Sequence, residues 1–116
     1  MAVTYNFCIA QGTDCTVPFV LSDSAGTVIN LTGFTAAMQL RVQLNSIDAE
    51  DTLTTENGRI EITPEAGLIS CSFPHTQTEN YPARTLVYDL EITSSGGEIT
   101  RVVQGNITVS GEVTRV

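Results

Sequence analysis

The chain of 116 residues has no lysine and no tryptophan, a single histidine and three cysteines. Each shortage excludes something. Without lysine, the cations are Arg41, Arg59, Arg84, Arg101 and Arg115, and 13 acidic residues outweigh them to a formal net charge of -8. A surface of that sign repels phosphate backbones, so nucleic acid is not an expected partner. No apolar run approaches the ~18 residues of a membrane span, so no membrane partner is expected either. The N-terminus, MAVTYNFCIAQGTDCTVPF, lacks the basic start and apolar centre of a signal peptide. The expectation is synthesis in a cytoplasm, with exit inside an assembly or by lysis.

The odd number of cysteines, Cys8, Cys15 and Cys71, does not describe a closed intrachain disulfide framework. Free thiols are expected, with Cys8 and Cys71 as small buried hydrophobes inside strand-like runs. Cys15 follows the polar turn Gly12-Thr13-Asp14, where exposure is expected. A bridge from Cys15 to another subunit is the functional alternative. No pair has C-x2-C spacing and His75 stands alone, so no metal or other cofactor is expected.

What the chain does have is period-two alternation. From 84 to 93, Leu86, Tyr88, Leu90 and Ile92 alternate with Val87, Asp89, Glu91 and Thr93, which sets one apolar row on one face of a sheet. Ser94-Ser95-Gly96-Gly97 then turns the chain, because glycine tolerates the positive φ of tight hairpins. Ile99, Arg101 and Val103 return, Gln104-Gly105 predicts a bulge, and Ile107 and Val109 resume. Upstream, Val3 to Ile9 reads as a first strand. Val17, Phe19 and Leu21 form a second row, which Pro18 restricts to an edge or bulge. Thr27 to Ile29 is a short return, and Asn30 to Phe34 a corner into the other sheet.

Met38, Leu40 and Val42 point inward from a strand over 36–43. Residues 44–57 read as a polar, acidic loop, closed by the hairpin signal Asn57-Gly58. Strands over 59–63 and 68–73 flank a turn at Pro64 to Gly67. Residues 77–81 predict one helical turn, and 111–116 a tail. The predicted core is Phe19, Leu21, Met38, Leu40, Ile60, Ile69, Phe73, Leu86, Tyr88, Leu90, Ile107 and Val109. Seven or eight short strands without a long helix predict one all-β domain over 1–116, a sandwich or small barrel.

Candidate chemistry is sparse. Asp48, Glu50 and Asp51 offer hard oxygen ligands, but at no EF-hand spacing, and a solvated loop is expected. His75 reads as a surface or capping residue. Asn30-Leu31-Thr32 and Asn106-Ile107-Thr108 match a glycosylation sequon by chance, given the missing signal. Tyr88 is expected to bury its ring and find a partner for its hydroxyl. No phosphate loop, acid–base pair or basic aromatic stripe is present, and the chain is not expected to be an enzyme.

Three stretches carry a resemblance. NLTGFTAAMQLRV over 30–42 is similar to the "D/N-L-T-G-Y/F … M-Q-[LI]-R" corner and strand of small tailed-bacteriophage virion proteins. RTLVYDLEIT over 84–93 is similar to their "Y-V-Y-D-L-E" strand. EITRVVQGNITVSGEVTR over 98–115 resembles their closing segment, with Gly111 where proline is common. The architecture resembles the immunoglobulin-like N-terminal domain of phage baseplate upper proteins, without the long helical and receptor-binding parts.

The resemblance implies an immunoglobulin-like antiparallel β-sandwich made in the host bacterial cytoplasm and carried in the virion. Its partners would be other virion proteins of the tail, baseplate, neck or capsid, met in multiple copies of a symmetric assembly. Contacts are expected at the termini, through Val3, Tyr5, Phe7, Cys15, Gly111, Val113, Arg115 and Val116. A capsid decoration protein of the same fold is the first alternative. A carbohydrate-binding module using Tyr5, Tyr81 or Phe34 is the second.

Overall fold

The computed structural model describes residues 2–114. Among them are nine strands: β1 (Val3–Thr4), β2 (Phe7–Ala10), β3 (Cys15–Val20), β4 (Thr35–Arg41), β5 (Asp51–Thr54), β6 (Ile60–Thr63), β7 (Leu68–Phe73), β8 (Thr85–Thr93) and β9 (Ile99–Ser110). They form two sheets. One has the order β1-β9-β8-β4-β5, with β2 also on β9, and the other has the order β3-β7-β6. Most ladders are antiparallel, but β1 and β2 run parallel to β9. The parallel edge corrects the expected all-antiparallel pairing.

The sheets share one hydrophobic core. Of the predicted core, all but Leu21 is buried, and Leu21 packs at its margin. Ile9, Leu31, Leu53, Tyr81 and Val103 join it, each burial contributing roughly 1.5–3 kcal/mol of transfer free energy. Cys71 is buried, as its row requires, and burial pushes its thiol up to about 12 against a smaller opposing pull from Arg59. Cys8 is exposed, which corrects its reading as a buried hydrophobe. It lies between Phe7 and Ile9, both turned inward, so strand alternation sends it out.

Four elements differ from expectation. The acidic loop contains a strand, β5, at the edge beside β4. Asn57-Gly58 makes no hairpin, because β5 and β6 belong to different sheets. Instead the Asn57 Oδ1 accepts the backbone N–H groups of Thr54 and Arg59, each at 3.0 Å, and the turn is a corner between layers. Thr27 to Ile29 makes only a bridge, Ser22 to Val28. Pro18 lies on β3, an edge strand, where its missing N–H is tolerated. The helical turn spans His75–Thr78, slightly earlier than expected.

The irregularity in β9 lies two residues before Gln104-Gly105. Leu90 pairs with Val103 and Glu91 with Arg101, which leaves Val102 as the extra residue. Gly105 has a different reason. A Cβ there would collide with the carbonyl of Tyr5 and approach Asn6 Oδ1 to 2.7 Å. The N-terminal segment crosses directly over Gly105, and only glycine leaves room.

Candidate interaction surface

The crossing shapes one long side of the sandwich. Between β1 and β2 the ladder breaks at Tyr5-Asn6. The backbone groups there find other partners, as half-buried peptides must. Tyr5 N–H donates to the Gln104 carbonyl at 2.9 Å, and the Tyr88 hydroxyl donates to the Tyr5 carbonyl at 2.6 Å. Asn6 Oδ1 accepts the Asn106 N–H at 2.8 Å and stands in for a backbone acceptor. Tyr88 thus buries its ring and satisfies its hydroxyl, as its position predicts. Burial first, then Tyr5 and Cys71 nearby, hold its pKa well above the ordinary phenol value.

Alternation in register with Phe7 and Ile9 turns the Tyr5 ring toward the other sheet. It meets Phe19 of β3 edge-on, with centroids 5.8 Å apart, and stacks on Phe7 at 5.7 Å. Phe7 in turn packs against Phe73 and Tyr88. An apolar groove of about 280 Å³ remains beside these rings, lined by Val3, Tyr5, Phe19, Val20, Leu21 and Val102 among others. A second hollow of about 520 Å³ shares Val3, Val20, Leu21 and Val102 and reaches Ile29, Phe34 and Ile92. Val3 is 65% exposed, Val20 59% and Tyr5 47%. This is a contiguous apolar surface on a chain of net charge -8, a feature that marks contact sites.

The expected contact residues divide. Val3 and Tyr5 meet on this groove. Phe7 does not, because its ring fills the seam between the sheets. Cys15 is half-buried opposite Phe73, rather than exposed in a turn, and burial raises its thiol pKa. That disfavours the reactive thiolate an intersubunit bridge needs. Gly111 and Val113 are exposed beyond β9. Arg115 and Val116 lie outside the described residues. Val20, Ile29 and Val102 were not legible as surface groups. Their only signal is apolar character at positions that alternation turns outward or at a bulge.

The glycan candidates fare unequally. Tyr81 is buried, and its hydroxyl donates to Asp51 Oδ2, so it cannot stack on a sugar. Tyr5 is exposed on the groove and Phe34 half-buried at its far end.

The remaining polar cluster is Asp51, Arg59 and Tyr81. Asp51 lies in β5 rather than in a solvated loop, and its side chain is only 7% exposed. Arg59 Nη1 and Nη2 donate to its two oxygens at 3.2 and 2.7 Å, and Arg59 Nε donates to the Ser72 carbonyl at 2.9 Å. Burial alone would lower the Arg59 pKa, but the hydrogen bonds and charge of Asp51 outweigh it and the net shift is upward. Asp51 Oδ1 also accepts the Thr52 N–H at 2.8 Å, so each carboxylate oxygen takes two hydrogen bonds. The cluster ties β5 of one sheet to β7 of the other.

His75 is held at the start of the helical turn by Asp14. Asp14 Oδ1 accepts its backbone N–H at 2.6 Å and lies 3.0 Å from its Nδ1, and these bonds lower the Asp14 pKa. No group of three or more His, Cys, Asp or Glu that could hold a metal occurs among the described residues. No helix of the described residues is long and apolar enough to cross a membrane. No protein-family model matches the chain, and no curated protein is significantly similar to it.

Proposed function

We propose that this chain is a non-enzymatic structural module of a tailed bacteriophage virion, an immunoglobulin-like domain that docks on tail, baseplate or neck proteins. The single observation that carries the docking role is the apolar groove between β1 and β3. The phage assignment rests on the resemblance of the three sequence stretches.

Strand order supports the immunoglobulin-like reading. In that fold the B, E and D strands share one sheet, C, F and G share the other, and variable types add C′ beside C. With β1 and β2 as the first strand, β3-β7-β6 takes the B, E and D places. The strands β9-β8-β4-β5 take G, F, C and C′. The chain departs from antibody domains in lacking the B–F disulfide and the tryptophan of strand C.

Docking would bury Val3, Tyr5 and Val20 against a neighbouring virion protein. Strand addition along β3 is disfavoured, because Pro18 blunts that edge. Side-chain burial is therefore the favoured mode. Many copies on a symmetric particle make modest single-site affinity sufficient.

Immunogold electron microscopy of the phage particles whose genome encodes the chain tests the reading. Gold at the neck, tube or tail tip is expected. Gold over the head would make the chain a capsid decoration protein. Particles without gold, and without its peptides by mass spectrometry, would overturn the virion assignment.

A further inference from the structure

We propose that the connection between β4 and β5, residues 42–50, is a second docking element: a preformed apolar knob for a partner protein whose apolar socket is rimmed by Arg or Lys. Leu44 is 90% exposed and Ile47 94% exposed, beyond anything on the groove described above. Two large aliphatic side chains this exposed within four residues leave apolar surface that the rest of the chain does not cover.

The loop that carries them is held from within. Arg41 Nη1 donates to the carbonyls of Ser46 and Ile47, both at 3.1 Å, and its Nη2 donates to Gln39 Oε1 at 2.6 Å. Ser46 N–H donates to the Gln43 carbonyl at 3.0 Å, and the Ser46 hydroxyl oxygen accepts the Gln43 N–H at 3.0 Å. Glu50 N–H returns to the Leu40 carbonyl at 2.6 Å. The chain therefore spends strong polar contacts on fixing a loop whose apolar tips touch little of its own body. Leu44 borders a shallow depression beside Thr4, Val87 and Asn106, yet stays exposed. A contact made by an already ordered loop forfeits little conformational entropy, which is the condition for a good anchor.

Charge selects the occupant. Asp48 and Glu50 are exposed beside the tips, and the one cation of the loop base, Arg41, is committed to carbonyls and Gln39. A second copy would bring the same net charge of -8, no lysine, and exposed arginines of which Arg101 is already paired with its own Asp89, so it is the poorer complement. Nucleic acid and anionic membrane are repelled for the same reason. A protein socket with cations around an apolar floor satisfies both features.

The inference rests on reading the chain as a docking module, and not on the phage assignment. The test places a photo-crosslinking phenylalanine analogue at position 47, or at position 95 on the exposed β8–β9 turn as control, in full-length chain made in its native cells. Circular dichroism checks that both forms fold. The expected adduct from position 47 is to a different protein, on a peptide mixing apolar residues with Arg or Lys. Its yield should exceed the control by roughly tenfold and fall severalfold when salt rises from ~0.05 to ~0.5 M. Equal yields from both positions, an adduct to a second copy, or a partner peptide without cations would each overturn the proposal. If particles lack the chain but the adduct forms, the virion reading fails alone. If particles carry the chain and position 47 stays unlinked, the knob fails alone.

Discussion

The two long sides of this molecule, where edges of its sheets approach each other, are closed by opposite chemistry. On the side of β5 and β6 a buried arginine, aspartate and tyrosine exchange every available hydrogen bond. On the side of β1 and β3, aromatic rings meet across the gap and leave an apolar groove open. The polar cluster of the sealed side spends its groups on one another, while the open side leaves Val3, Val20 and one face of Tyr5 to solvent. A polar knot specifies how the layers join. An apolar seam leaves surface for something else.

Breaking the sealed side should cost most. Asp51→Ala leaves Arg59 and the Tyr81 hydroxyl unpaired in a site only 16% and 7% exposed at the two charges. A loss of about 3–5 kcal/mol is expected in urea unfolding. Replacing Asp51→Leu and Arg59→Met together should recover most of it, because no buried charge is then orphaned. A double variant as unstable as the single would show that packing, not the unpaired charge, governs this side.

Gly105→Ala attacks the open side through its backbone. The added methyl meets the Tyr5 carbonyl and lifts the N-terminal segment off β9. About 1–3 kcal/mol should be lost. Amide exchange should accelerate at Tyr5 and in Phe7–Ala10 while β6 and β7 stay protected.

Tyr88→Phe is milder, at about 0.5–1.5 kcal/mol, since it deletes one hydrogen bond to the Tyr5 carbonyl and keeps the ring. It also carries a pH signature. The folded pKa values of Tyr81 and Tyr88 are raised, chiefly by burial. Their contribution to stability is complete below about pH 10, the ordinary tyrosine value, and is lost as pH rises from there toward the folded values. Denaturation midpoints measured across that range should fall less steeply in Tyr88→Phe than in the parent.

The smallest expected effect is the most telling. Val20→Ser, at an exposed position of the open side, should change stability by no more than about 0.5 kcal/mol. It should nevertheless weaken particle incorporation. A loss as large as that of Gly105→Ala would mean the groove is part of the core and not a contact surface.

Much of this was legible along the chain. The β8 row, the core positions of β4 and β7, the glycine turn near Gly97 and the edge role of Pro18 all follow from alternation and from backbone restrictions on single residues. The contact surface was legible only at Val3 and Tyr5. Phe7 alternates with them on the same face, in unbroken register with β9, and differs only in lying deeper, packed on Phe73 and Tyr88. Asp51 read as one of three solvated acids, because its partners Arg59 and Tyr81 are distant in sequence and carry no local mark.

The sequence by itself determined that this is a β-protein with one apolar core and a net acidic charge. Those properties depend on side-chain period and on sums over the chain, which are local or additive. Only the tertiary structure decided which strands are neighbours. It made Asn57-Gly58 a corner between sheets instead of a hairpin and set Tyr5 above Gly105. It also left one side of the sandwich sealed and the other open. Strand pairing is a contest among long-range alternatives, and its outcome depends on the fit of whole faces, which no short window of sequence contains.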